Sequence, residues 1–299
     1  MSTMRHFTNA LVLASGSSTD PGVEHASRIA IAHHTTITLT DVLEKAPGYL
    51  RPLLPREWNV PSLLRAQKTA ALERTAERIR RLGIETRVKL LEGSPVKALV
   101  REVTHSHHDL LTVAVSAAGI IASADTTAAR LVRECPCPTL LARSGGRRRH
   151  RVLVAIDTWN NALNARLLET GLTLAKIGKG DLQVLHAWEL YDERHLRREG
   201  VRADEMKEFV ARAREQAREG LRRTIAPYRR HLSPRQVHLE RGRPREVIPA
   251  FAVKHGVGLL VIGTVARSGL GRFLIGNTAE ILLSRMPCSM LVIRPERGR

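Results

Sequence analysis

The sequence predicts an α/β protein built twice: two tandem, doubly wound, five-stranded parallel-sheet domains. Three observations predict it. Short apolar runs alternate with segments of helical spacing along the whole chain of 299 residues. Those runs are apolar nearly throughout rather than at every second position, as expected of parallel strands covered by helices on both faces. The chain also repeats itself at about 150 residues, the size of one domain.

The repeat is read without gaps at its centre. Glu92-Gly93-Ser94-Pro95 lies over Arg241-Gly242-Arg243-Pro244, and the apolar run 109–113 then lies over 258–262. Further on, Cys135-Pro136-Cys137-Pro138 matches Met286-Pro287-Cys288-Ser289. At the front, 10–14 is matched with 151–155. The expected domains are 1–144 and 150–299.

The elements follow in order. In the first half 10–14, 109–113 and 139–142 read as strands, and Leu64, Ala71, Thr75 and Ile79 mark a long helix. In the second half 152–156, 182–187, 236–239, 259–263 and 290–293 read as strands. Leu163, Leu167, Leu168, Leu172 and Ala175 follow helical spacing, as do Met206, Phe209, Val210, Ala213, Ala217 and Leu221. A third helix carries Val247, Ile248 and Phe251, opened by Pro244 and expected to kink at Pro249. Strands 139–142 and 290–293 are suited to pair within one chain, making a pseudo-dimer of the two halves, with a homodimer as the alternative.

Composition narrows the class. No apolar stretch approaches the roughly 18 residues that span a bilayer. The first nine residues lack the layout of an export signal, and three cysteines do not make a secreted disulfide framework. The expected location is the cytoplasm, with no membrane partner. A net charge of +19 suggests nucleic acid. However, many arginines lie beside glutamate in helices, as in Glu73-Arg74 and Arg218-Glu219, which describes solvated faces. The one dense run without acids, Arg143, Arg147, Arg148, Arg149 and Arg151, has no aromatic neighbours and reads first as a basic linker.

The stretch 261–295 places a ligand. It reads strand, glycine-rich loop, helix, proline turn, strand, and such a loop presents backbone N–H groups beside the positive end of a helix, which suits a phosphate. Ligands in doubly wound sheets bind at the carboxyl ends of strands where the strand order reverses. If the first and fourth strands of the second half meet there, Asp157 faces the loop that begins at Gly263 and accepts hydrogen bonds from a ribose or adenine. No GxxxxGK[ST], HExxH or GxSxG motif occurs, so no catalytic centre is expected. His105, His107 and His108 are explained by a polar helix end, and Cys135-Pro136-Cys137 by small apolar residues entering a strand. No metal site is assigned. Ser15-Gly16-Ser17-Ser18-Thr19-Asp20 loosely resembles the SGGxDS loop of ATP pyrophosphatases but has the wrong order, and reads as a degenerate strand end.

These residues resemble the universal stress protein family, and the tandem layout is similar to its two-domain E-type members. The resemblance rests on Val154-Ala155-Ile156-Asp157, Asn161-Ala162-Leu163-Asn164, Pro244-Arg245-Glu246-Val247-Ile248-Pro249, and above all the segment 263–280. It implies a Rossmann-like, adenine nucleotide alpha hydrolase-like fold and a non-catalytic stress-response protein. A nucleic-acid-associated protein and a weak ATPase are the alternatives. It also implies a site in the second half for a small molecule or adenine nucleotide, with ATP and Mg²⁺ as candidates and no cofactor fixed. The residues carried over are Asp157, Ala187, Gly263, Thr264, Ala266, Arg267, Gly269, Gly276, Asn277 and Thr278. ATP-binding members have a glycine, two residues, a second glycine, nine residues, then glycine with serine or threonine. Gly263 and Gly276 match the outer glycines, Ala266 replaces the second, and Asn277 precedes Thr278. A methyl at a position needing positive φ would weaken binding by about 1 to 3 kcal/mol. In the first half Gly16, Ala114 and Asp125 are matched to Asp157, Gly263 and Gly276, and an acid at Asp125 would repel phosphate, so that site reads as degenerate.

Overall fold

The computed structural model of the chain describes residues 7–14, 19–44, 60–115, 126–143, 151–190, 198, 201–264 and 277–295. The first half runs β1 (Asn9–Leu13), α1 (Pro21–His33), β2 (Thr36–Leu43), α2 (Val60–Arg80), β3 (Thr86–Glu92), α3 (Pro95–His105), β4 (Leu110–Val115), α4 (Thr127–Glu134) and β5 (Thr139–Arg143). The second runs β6 (Val152–Ala155), α5 (Asn161–Ile177), β7 (Leu182–Trp188), α6 (Ala203–Ile225), β8 (Val237–Arg241), α7 (Pro244–His255), β9 (Leu259–Gly263), α8 (Asn277–Arg285) and β10 (Ser289–Ile293).

Local chemistry explains where these elements start. Asp20 caps α1 by accepting from the backbone N–H of Gly22 at 2.7 Å and of Val23 at 3.2 Å. Such a cap is worth about 1 kcal/mol and gives Asp20 a structural task. Gly93 and Gly242, at φ 110° and 137°, end β3 and β8 in a region that favours glycine, and Pro95 and Pro244 then open α3 and α7. This accounts for the most legible part of the repeat. Helix α7 runs through Pro249 to His255 without a break, so the expected kink does not divide it. The residue expected to start β8, Gln236, instead closes a 3₁₀ turn, where its amide oxygen accepts from Ser233 N–H at 2.8 Å.

All ten strands form one sheet in the order β3-β2-β1-β4-β5-β10-β9-β6-β7-β8. Within each half every pairing is parallel, and the order reverses between β1 and β4 and between β6 and β9. Leu11, Leu111, Leu153 and Leu260 are fully buried beneath helices, as near-continuous apolar strands require. The halves meet through the one antiparallel pair, with Met290 opposite Leu141, Leu291 opposite Leu140 and Val292 opposite Thr139. Arg133 of α4 pairs with Glu280 of α8 across that seam. Arg143 donates from its guanidinium to the Met286 carbonyl at 2.7 Å and from its backbone N–H to Ser289 Oγ at 3.1 Å. Arg151 likewise donates to the His255 carbonyl. Two ends of the basic run are therefore committed to the fold, while Arg147, Arg148 and Arg149 lie outside the described residues.

Strand register corrects the front of the repeat by one residue. Ala10 stands opposite Leu110, and Val152 opposite Leu259, so Ala10 corresponds to Val152 and not to Arg151. Gly16, matched to Asp157 in the sequence, lies outside the described residues. Apolar runs of four and five residues carry no period that fixes their phase; hydrogen-bonded partners do.

Candidate functional site

The switch between β6 and β9 sets three strand ends side by side. Ala155 stands opposite Ile262 on one side and opposite Leu185 on the other. Beyond them Ile156 N–H still donates to the Leu185 carbonyl at 3.0 Å, and Asp157 follows at the carboxyl edge, where Ala187, Gly263 and Thr264 also lie at strand ends. Helix α8 joins the end of β9 to the start of β10, so its first turn, carrying Thr278, opens towards this edge too. Asp157, Ala187, Gly263, Thr264 and Thr278 thus all lie at the carboxyl edge of the second-half strands. Of Asn277 the backbone opens α8, whereas Ala266, Arg267, Gly269 and Gly276 lie outside the described residues.

Asp157 is held by its own loop. Its Oδ1 accepts from the backbone N–H of Trp159 at 2.9 Å and of Asn160 at 3.0 Å, and its carbonyl accepts from Asn164 Nδ2 at 2.6 Å. Asn160 then caps α5 by accepting from Leu163 N–H at 3.0 Å. Among the described residues Oδ2 makes no hydrogen bond. A fixed carboxylate with one free oxygen at a strand end is suited to accept from a hydroxyl or amino group.

Other residues at this edge have structural tasks. A Cβ placed on Gly263 would lie 2.5 Å from Leu163 Cδ2, so the glycine lets α5 pack against the end of β9. Gly220 does the same for α6 over the loop, where a Cβ would meet Thr158 Cγ2 at 2.9 Å. Thr264 is buried, and its N–H donates to the Ile293 carbonyl at 3.0 Å, which extends the β9–β10 ladder.

Two residues here were missed by sequence reasoning. His186, buried near the end of β7, bonds through Nδ1 to the Ile156 carbonyl at 3.1 Å. A carbonyl only accepts, so the proton is on Nδ1 and Nε2 is left as an acceptor beside Asp157. Burial pushes this imidazole below its ordinary range, against the opposing pull of the Ile156 carbonyl and Asp157. The available signal was one ionisable residue inside an apolar strand. Trp159 is the second: its ring is 85% exposed two residues after Asp157. A lone tryptophan in a short polar stretch was the available cue.

The first half differs. Thr40 stands opposite Leu13 as Leu185 stands opposite Ala155, so Asp41 takes the place of His186, and Asp41 Oδ2 is bound by Lys68 Nζ at 2.6 Å. Ala114 occupies the place of Gly263. Asp125 lies outside the described residues.

Three remaining expectations concern metals, thiols and membranes. Among the described residues no group of three or more His, Cys, Asp or Glu could hold a metal ion. His108 is buried against Glu102 rather than belonging to a polar helix end. Cys135 and Cys137 are free and buried, with sulfurs 3.5 Å apart. Among the described residues no helix is long and apolar enough to cross a membrane.

The sequence profile of the universal stress protein family matches residues 6–143 and, again, 148–294. Universal stress protein E of Escherichia coli K12 is 26% identical over 249 residues, which cover 78% of this chain and 75% of that protein. The Universal stress protein E homolog of Haemophilus influenzae is 30% identical over 178 residues, covering 56% and 55%. Among solved structures, a functionally unknown protein of Pseudomonas aeruginosa PAO1 superposes with a TM-score of 0.74 at 23% identity, covering 98% of this chain and 94% of that one. A universal stress protein of Archaeoglobus fulgidus superposes at 0.68 and 16% identity, covering 98% and 99%. At these identities the superpositions speak to fold alone.

Proposed function

This chain belongs to the universal stress protein family as a tandem, two-domain member of the E type, and from that premise we propose that it is a non-catalytic stress-response protein with one small-ligand site, suited to an adenine nucleotide, in its second half. The domains are 1–144 and 150–299, the first structural and the second ligand-binding. The observation that carries the reading is Asp157: a carboxylate locked through Oδ1, with Oδ2 free, at the point where strand order reverses.

The residues present fit part of such a ligand. Asp157 Oδ2 accepts from a ribose hydroxyl or exocyclic amine, and the backbone of Ala187, at the end of the neighbouring strand, supplies a second contact. The first turn of α8, with Thr278, offers backbone donors to a phosphate. ATP with Mg²⁺ is therefore the first ligand to try. Among the described residues at this edge no nucleophile is hydrogen-bonded to a general base, and the site is read as one that holds rather than converts its ligand.

Calorimetry with ATP and Mg²⁺ tests this. The intact protein gives saturable heats, and Asp157→Asn, which keeps the Oδ1 bonds but replaces Oδ2 by a donor, weakens binding roughly tenfold or more. Equal heats from both proteins, or none from either, would remove the nucleotide claim. Phosphate release stays at the buffer level; turnover above it would overturn the non-catalytic part.

A further inference from the structure

A cleft of about 660 Å³ lies between α6 and the edge strand β8, away from the site above. Its wall is cationic. Arg214, Arg218 and Arg222 stand at every fourth position of α6, so they project from one face, and Arg229 joins them from the following turn. Its floor is apolar, made by Leu221 and Ile225 of α6, Leu232, and Val237 and Leu239 of β8. Val237 and Leu239 share one face of a strand that has no neighbour on its outer side among the described residues.

The wall differs from an ordinary solvated helix face. Elsewhere on α6 the arginines have acids: Arg212 with Glu208 at 3.3 Å, and Arg223 with Glu219 at 3.9 Å. Inside the cleft only Arg218 does, with Glu215 at 3.3 Å. Among the described residues no carboxylate pairs with Arg214, Arg222 or Arg229. The floor side chains are buried or half-buried beneath exposed arginines, so an anion with an apolar body is met by charge at the rim and by apolar surface below.

We propose that this cleft is a binding site for an amphipathic organic anion, a phosphate or carboxylate carried on an apolar body. The guanidinium forks of Arg222 and Arg229 hold the anionic group, and Ile225, Val237 and Leu239 cover the body. The volume suits such a molecule, since small-molecule clefts run from about 300 to 1,000 Å³. A charge ridge for nucleic acid would not need the apolar floor, because backbone phosphates are met at the surface.

Calorimetry on the full chain with 1-naphthyl phosphate, inorganic phosphate and 1-naphthol, all at one ionic strength, separates the parts. Naphthyl phosphate binds at least tenfold more tightly than either fragment. Arg222→Gln with Arg229→Gln weakens it at least tenfold at an unchanged melting temperature, whereas Asp157→Asn has no effect. If that pair lowers the melting temperature, Arg229→Gln alone, at an exposed position, serves instead, with an expected loss of at least threefold. Inorganic phosphate binding as tightly would show a non-specific anion ridge and overturn the proposal. So would full affinity in the arginine variants, loss of affinity in Asp157→Asn, or no binding.

Discussion

At the scale of single residues, Gly263 shows how a motif position can have two tasks. Its place in a glycine pattern suggests a phosphate contact, yet the structure gives it a packing reason, the contact of Leu163 with the bare Cα face. Gly263→Ala is therefore expected to lower stability by about 1 to 3 kcal/mol through overpacking. Leu163→Ala alone costs about 2 to 5 kcal/mol, being a large-to-small change at a buried site. The double variant should be more stable than the sum of the two losses, since the methyl then enters the space left by the leucine. Denaturant unfolding of the four proteins measures this coupling, and simple additivity would contradict the packing account. The same residue shows what a sequence conveys. The glycine itself was legible at 263, but its partner lies a hundred residues away on another element.

At the scale of elements, the seam between β5 and β10 is the feature most open to test. Three residue pairs of antiparallel ladder, the Arg133–Glu280 pair and the bonds of Arg143 join sheets that would otherwise end in open edges. The seam strands are buried, Leu140 and Leu291 at 1% exposure each, so separating the halves would uncover core. The full chain should accordingly unfold in one calorimetric transition and sediment as a monomer at several concentrations. Two resolved endotherms would show that the ladder does not couple the halves, and self-association rising with concentration would point to a homodimer. Pairing of 139–142 with 290–293 was legible because each run ends its repeat with no later strand to cover it. The direction and register were not, because apolar runs alone carry neither.

At the scale of the whole molecule, buried and half-buried histidines set the response to acid. Burial is the leading cause that lowers His25, His108, His186, His238 and His255 below the ordinary imidazole range. A depressed histidine binds its proton more readily in the unfolded chain, so its contribution is complete above about pH 6.5 and is lost as pH falls towards the folded value. Glu102 acts in the same sense: burial pushes its carboxyl up, but hydrogen bonds from Lys89 and Ser106, and the charges of Lys89 and His108, hold it lower. That contribution is lost further down, as pH falls below the ordinary carboxylate value. His25 links acid to the seam, because its Nε2 lies 3.1 Å from Ser289 Oγ, the same hydroxyl that accepts from Arg143 N–H. With the proton on Nδ1 the hydroxyl donates to Nε2; protonating His25 turns Nε2 into a donor to the same oxygen and adds a charge that burial and Arg28 disfavour. The melting temperature should fall between pH 7.5 and pH 5, and His25→Gln should flatten part of the fall. A melting temperature that is level or rises towards pH 5 would contradict this assignment.

The sequence by itself determined the fold class and the duplication. These follow from local patterns: apolar runs of strand length, helical spacing, and a turn chemistry of glycine then proline that the chain uses twice. Only the tertiary structure decided that Ala10 corresponds to Val152 and not to Arg151, that His186 and Trp159 stand near Asp157, and that arginines of one helix wall an apolar cleft at the outer edge of β8. Each of these depends on which strand lies next to which and in what register. That is settled by hydrogen bonds and packing between residues far apart in the chain, which no local pattern encodes.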